Sequence, residues 1–319
     1  MLSKSQIAAV VLLAIALVLV PPITTAIDEP FYTSLVARIM VFAIAVVSLD
    51  LILGYGGMVS FGHAAYLGIG AYAVAIPSYY GVDNGFLQLP LAVGASALVA
   101  LVIGAISLRT SGLYFIMITM AFTQMLFFLG ISLEEYGGDD GINTNRSEFF
   151  EALDLYDEVT LYYFIAALLA LCLFLSYRLV HSRFGRVLRG IHSNEARMRA
   201  VGFPTYRYKL TAFVISGAMC GLAGFLLANI TEFITPEYMS WFRSGEIMIM
   251  VLMGGMGSLF GSVFGAIAFI SLEEFIPDVM DLFGDGFGQH WPIVFGPILV
   301  LLVLFARGGL WGLLPKRKS

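Results

Sequence analysis

Few residues in this chain are equipped for chemistry, and they stand far apart. The densest group is basic: eight of the 17 Lys and Arg residues lie between Arg178 and Lys209, with Glu195 the one acid among them. Such a group suits electrostatic docking on a partner or on lipid head groups rather than bond making. His63 stands in a glycine-rich apolar string, where a packed, hydrogen-bonded core histidine is the favoured role over contact with a substrate. Thr119, Thr123 and Gln124 put two hydroxyls and an amide on one apolar stretch, suited either to lining a path or to interhelical hydrogen bonds. Arg38 and Asp50 sit in another apolar run. Being 12 residues apart, they are separated by about 18 Å along a helix and cannot pair with each other. Together with Glu232 and Glu246 they offer no obvious pair for ion coupling.

Several chemistries fall away at once. None of the four lysines follows a glycine-rich loop, so no GxxxxGK[ST] phosphate cradle exists. HExxH, GxSxG and Cys/His clusters are absent from the sequence. Residues 68–73 fit GxGxxA, but neither a preceding strand nor a following acidic partner accompanies them. The GGDDGIN string at 137–143 lacks the 12-residue loop and terminal Glu of a calcium site. Cys172 and Cys220 lie in apolar runs and are expected to pack as small hydrophobes. Neither catalysis nor a bound metal or cofactor is expected of this chain, and no nucleic-acid partner.

The elements that must carry these residues are membrane helices. The chain is 59% hydrophobic and only 12% charged, with a mean hydropathy of +0.89; soluble domains carry about 25% charged residues. The expectation is an all-α polytopic membrane protein, one domain over 1–319, with about ten spans (eight to ten) and both termini cytoplasmic. Expected spans lie near 7–27, 32–53, 54–76, 89–108, 113–133, 160–180, 209–229, 248–270 (a hairpin of two short spans) and 291–306. Residues 134–158 hold nine carboxylates and one cation, Arg146, which marks an external loop. The segments 231–247 and 273–285 are expected outside as well. Lys4, Arg109, the basic loop 181–208 and the basic tail 316–318 fall on the opposite, cytoplasmic side. A cleavable leader is the competing reading of the first apolar run.

Within the basic loop a short helix is expected. Ser193 or Asn194 can cap it, Glu195 occupies its first turn, Gly202 follows its last, and Pro204 blocks continuation. Two glycine-rich strings, 56–62 and 254–261, echo each other as paired interrupted segments do in transporters, although chance similarity explains so short a match equally well. Gly257, Gly261 and Gly265 form a small-xxx-small ridge for close helix packing.

Four strings carry a resemblance covering about four-fifths of the chain: GYGGMVSFGHAAYLGIGAY from Gly54, LRTSGLYFIMITM from Leu108, GGDDGIN, and GRVLRGIHSNEARMRAVGFPTYRYKLTAFVISGAMCGLAG from Gly185. Together they resemble the branched-chain amino acid family of ABC importer permeases. The resemblance implies that Asn194, Glu195, Ala196, Arg197 and Gly202 form a coupling helix that docks on an ATPase; Arg197 stands where many related importers have a second Ala. Gly56, Gly57, Ser60, His63, Thr119, Thr123, Gln124, Gly257 and Gly261 are the residues expected on the translocation path or in the packing around it. Implied partners are a second, homologous permease, two ATPases that hold ATP and magnesium, an external binding protein and the lipid of a bacterial inner membrane. Leucine, isoleucine and valine are the implied cargo. Urea or short amides moved by a similar permease are the alternative, and an ion-coupled secondary transporter is the rival from another class.

Overall fold

The computed structural model describes residues 4–149, 154–282, 286–305 and 308–313. The described residues form helices α1 (Lys4–Ile27), α2 (Pro30–Leu53), α3 (His63–Tyr79), α4 (Gly85–Ser107), α5 (Leu113–Ser132), α6 (Glu158–His181), α7 (Arg183–Ser193), α8 (Glu195–Ala200), α9 (Thr205–Thr231), α10 (Trp241–Gly254), α11 (Leu259–Asp281), α12 (Trp291–Phe305) and α13 (Gly309–Leu313). Strands β1 (Ile142–Asn143) and β2 (Phe233–Ile234) pair antiparallel.

α2 is the axis. Every residue from 39 to 53 is buried, which a helix apolar on all sides requires of its neighbours. α6, α9 and α11 enclose it, and α9 in turn packs along α3 and α4. Small residues set the spacing there: a Cβ on Gly70 would lie 2.1 Å from the Gly221 carbonyl oxygen, and one on Gly224 2.0 Å from that of Leu67. Only glycine permits backbones so close. Cys172 and Cys220 are free and buried.

The bundle has a basic end, carrying α7 and α8, and an acidic end. At the acidic end the loop expected over 134–158 is pinned through its one cation. Arg146 donates to Glu232 Oε1 at 2.6 Å and to the carbonyls of Leu155 and Tyr156 at 3.1 and 3.0 Å. Asp157 caps α6, accepting from Thr160 N and Oγ1, and these bonds hold its carboxyl below the usual range.

Among the described residues, seven helices are long and apolar enough to cross a membrane: α1 (over Ala8–Ile27), α2, α4, α5, α6, α9 and α11. α3, α10 and α12 are shorter, at 17, 14 and 15 residues. Besides the expected coupling helix, the basic loop holds a second helix, because α7 fills 183–193. Two expectations are corrected. Segment 231–247 starts at the acidic end, where β2 pairs with β1, but it is not a loop throughout: Pro236–Met239 forms a 3-10 turn against α3 and α5, with Met239 facing Gly68 and Gly130, and α10 begins at Trp241. Glu273 and Glu274 lie within α11, about 11 Å before its acidic end, not beyond the helix. Asp285, Arg307 and the basic tail 316–318 lie outside the described residues.

Candidate coupling and translocation site

The basic end is built from α6 outward. Ser182 caps α7, and α7 lays Gly185, Leu188 and Ile191 against the bundle; Arg183 and Arg186 are exposed, while Arg189 Nη2 reaches back to donate to the Val180 carbonyl at 3.2 Å. Gly190 then meets the Met198 side chain, so α8 folds back across it. Asn194, not Ser193, is the cap of α8: its Oδ1 accepts from Arg197 N at 2.8 Å, while Ser193 ends α7. Glu195 carries the attachment. It accepts from Arg199 Nη2 at 2.9 Å, Thr205 Oγ1 at 3.1 Å and Lys209 Nζ at 2.9 Å, tying the first turn of α8 to the first turns of α9. Partial burial raises the Glu195 carboxyl, but the Lys209 charge and these hydrogen bonds outweigh it and hold the group below the ordinary range. No residue of α8 is buried; Ala196, Arg197 and Ala200 project, and Val201 is 69% exposed. Gly202, at φ +96°, turns the chain back toward Pro204 with open space around it. The result is a rigidly anchored knob of small side chains between two arginines, able to enter a groove lined by carboxylates.

His192, at the end of α7, links this knob to the first helix break. Residues 54–62 leave α2 unwound before α3 begins. Gly57, at φ +67°, lies under the His192 ring, and a Cβ there would be 2.5 Å from Cδ2. Gly56, Gly57, Thr110, His192, Glu195 and Lys209 border a cavity of about 380 Å³ between the break and the knob. Further along the break the free backbone finds partners on α5: Phe61 N donates to Thr119 Oγ1 at 3.2 Å, and Thr123 Oγ1 donates to the Phe61 carbonyl at 3.0 Å. Unwound backbone inside an apolar bundle demands such partners. Thr119 and Thr123 are therefore interhelical fasteners. Gln124 Oε1 likewise accepts from Trp241 N at 3.4 Å, receiving the start of α10.

Ser60 Oγ accepts from Gly62 N at 3.1 Å inside the break. His63 is fully buried, with Nε2 and Ser216 Oγ 2.7 Å apart and Ser216 donating to the Ser48 carbonyl at 2.5 Å. Ser244 of α10 accepts from Ala64 N at 3.0 Å. A polar ladder thus fastens α3 to α2, α9 and α10, and His63 is a packed core residue in this arrangement.

The second break, residues 255–258, turns α10 into α11 at the basic end. Asp50 Oδ1 accepts from Gly257 N at 2.7 Å, placing a carboxylate at the positive end of α11. Ser258 caps that helix, accepting from Gly261 N at 3.1 Å. Of the glycine ridge, Gly257 belongs to the hinge (φ +74°), whereas Gly261 and Gly265 press on the backbone of α10; a Cβ on Gly265 would be 1.9 Å from the Met250 carbonyl oxygen. The two echoing strings both fall at helix breaks, and the breaks touch: a Cβ on Gly54 would lie 2.2 Å from Gly257 N.

Arg38, Asp50, Glu232 and Glu246 make no ion pair with one another, and each has a partner elsewhere in the bundle. Arg38 lies 3.9 Å from Glu273 and 3.7 Å from Glu274, Glu232 pairs with Arg146, and Glu246 with Arg243 at 2.5 Å. Spacing alone pairs only Arg243 with Glu246, three residues apart on α10; Arg146, Glu273 and Glu274 are supplied by distant segments. His192, Thr205, Ser216 and Ser244 were likewise unmarked; an amphipathic i, i+3, i+6 pattern at Gly185, Leu188 and Ile191 was the available sign of α7.

Broken spans fastened inside an apolar bundle, and a capped helix projecting from one end, define a membrane transport subunit. The chain belongs to the family described as branched-chain amino acid transport system / permease component, whose pattern matches residues 31–306. It is 30% identical over 323 residues to the high-affinity branched-chain amino acid transport system permease protein LivM of Escherichia coli (strain K12), covering 92% of this chain and 74% of the relative. The Salmonella typhimurium LivM is 29% identical over 295 residues, 85% of this chain and 68% of that protein. A probable LivM of Methanocaldococcus jannaschii is 24% identical, covering 86% and 91%. No solved structure matches.

Proposed function

We propose that this chain is a permease subunit of an ABC importer for branched-chain amino acids. One observation carries the reading: the exposed, Glu195-anchored helix α8 is connected through His192 to the unwound segment at Gly57. In this reading α8 docks in an ATPase groove, and ATP-driven closure of two ATPases moves it. His192 passes the motion to residues 54–62, and the Gly54–Gly257 contact carries it to 255–258. The two access states differ in these contacts, which is what lets ATP bias them. ATP and magnesium belong to the ATPases, and this chain binds no cofactor.

Residues 134–149 and 154–158 face outward in this reading, toward an external binding protein, and α7 and α8 face the cytoplasm of a cell bounded by this inner membrane. α3, α10 and α12 complete ten passes with both termini inside. Gly56, Gly57 and Ser60 in the first break, with Gly257 in the second, border the path, while His63, Thr119, Thr123, Gln124 and Gly261 hold its walls. A second, homologous permease supplies the other half of the pore.

The test is reconstitution with partner permease, ATPases and binding protein in lipid vesicles. ATP-dependent uptake of leucine, isoleucine or valine is expected. Glu195→Arg and Gly202→Trp should each abolish co-purification of the ATPases while leaving the membrane bundle folded. Retention of the ATPases by both variants, or no uptake by the wild-type complex, would end the reading.

A further inference from the structure

Five ionisable side chains gather at a partly exposed face where α2, α10 and α11 meet. Arg38 lies two turns below the acidic end of α2, and Glu273 and Glu274 lie two turns below that of α11. Arg243 and Glu246 occupy the first turns of α10, and Glu246 is within electrostatic reach of Glu273 and Arg38. The group is layered. Arg243 is fixed, bonded to Glu246 at 2.5 Å with its guanidinium over the rings of Phe42 and Tyr238. Arg38 is not: its nitrogens stand 3.7 and 3.9 Å from two carboxylates, beyond hydrogen-bond length. The Arg38, Glu273 and Glu274 side chains retain 36%, 24% and 31% of their exposure. Hydrocarbon does not accept exposed charge at this depth, so the face must meet water or protein. Three carboxylates against two guanidiniums leave one negative charge over, so a ligand's ammonium is favoured beside Glu273 and Glu274.

We propose that Arg38, Glu273 and Glu274 form a binding station for the zwitterionic end of an amino acid on its way through the membrane. Glu273 and Glu274 take the ammonium, and Arg38 swings from them to the carboxylate. The ligand's two charges match the two loosely engaged charges of the station, while Arg243 and Glu246 form the fixed layer behind them. The apolar side chain of the cargo contributes nothing to this recognition, so the station accepts any small α-amino acid and leaves selection to an earlier step. This inference rests on the importer reading.

The experiment uses the complete importer in vesicles. The Glu273→Cys variant is exposed to a charged, membrane-impermeant thiol reagent, with Leu98→Cys on α4, 63% exposed, as the lipid-facing control; the native cysteines are buried. Labelling of Glu273→Cys but not Leu98→Cys is expected, slowed at least fivefold by leucine with binding protein. Glu273→Gln and Arg38→Gln should each lower leucine uptake about tenfold, with binding-protein-stimulated ATP hydrolysis changed less than twofold. Arg38→Lys should recover part of the uptake. A folded Glu273→Cys importer that resists the reagent, or a Glu273→Gln importer that transports like wild type, overturns the station. Failure of the importer reading is separate: wild-type vesicles would then take up no amino acid, whatever the labelling.

Discussion

Glu195 does with one carboxylate what neighbouring side chains do with several, receiving donors from α8 itself and from two positions on α9. Its folded-state value is depressed, so its contribution is fully present above the ordinary carboxylate value of 4.5. That contribution fades as pH falls below 4.5 and through the lowered value, when the group takes up a proton. Hydrogen exchange across 195–203, corrected for intrinsic rate, should therefore rise as pH drops through this window, and Glu195→Gln should show the raised exchange already at pH 7. Unchanged protection in the variant would mean that α8 is held by packing alone. Gly57 offers a second check. Gly81→Ala, in open space at φ +73°, should cost about 1–2 kcal/mol from its backbone alone. Gly57→Ala adds the collision with His192 and should melt clearly lower and transport poorly. At this scale the sequence was informative wherever local rules apply: Glu195 and Gly202 were placed by helix-end chemistry, and the solitary buried His63 behaves as a core histidine. Which of Ser193 and Asn194 caps α8 was not legible, because that depends on where α7 ends.

Helix breaks decide what the elements can do. Asp50 stabilises the second break from across the bundle, and the two substitutions at that position separate charge from hydrogen bonding. Asp50→Ala strands the Gly257 amide and should lower stability by about 1–3 kcal/mol, whereas Asp50→Asn keeps an acceptor and should lose less. Equal thermal melting of the two in detergent would mean that the bond to Gly257 contributes little. The α10–α11 pair has no room for a side chain at its crossing, so Gly265→Leu should cost about 1–3 kcal/mol or prevent assembly of the hairpin. Long spans were legible from hydropathy because length and composition suffice for them. The turn before α10 was not, since residues 231–247 carry charges that read as a solvated loop, and only contact with Gly68 and Gly130 reveals that Pro236–Met239 packs between α3 and α5. The glycine strings signalled interruption, but not that the two interruptions would meet.

For the whole molecule the segregation of charge is the strongest large-scale feature, with α7 and α8 at one end and Arg146 with its carboxylates at the other. Single cysteines placed at Val201 and Asp139 should react with an impermeant reagent from opposite faces of the membrane, and labelling of both from one face would refute the orientation. Charge counting made these two ends legible; it could not show that some acids, Glu273 and Glu274 among them, are partners for a distant arginine. That distance also shapes how the protein is made. Asp50 waits for Gly257 across 207 residues of chain, and Arg38 waits longer for Glu273. At translation rates of about 5–20 residues per second, the interval is roughly 10–40 s. During that time α2, the helix that ends up most enclosed, stands in or beside the bilayer with an arginine and an aspartate and no partner for either. Biogenesis of this permease therefore depends on shelter from the insertion machinery until α9 and α11 arrive, and ribosome stalling between α6 and α11 should leave an early intermediate that is degraded, not stored.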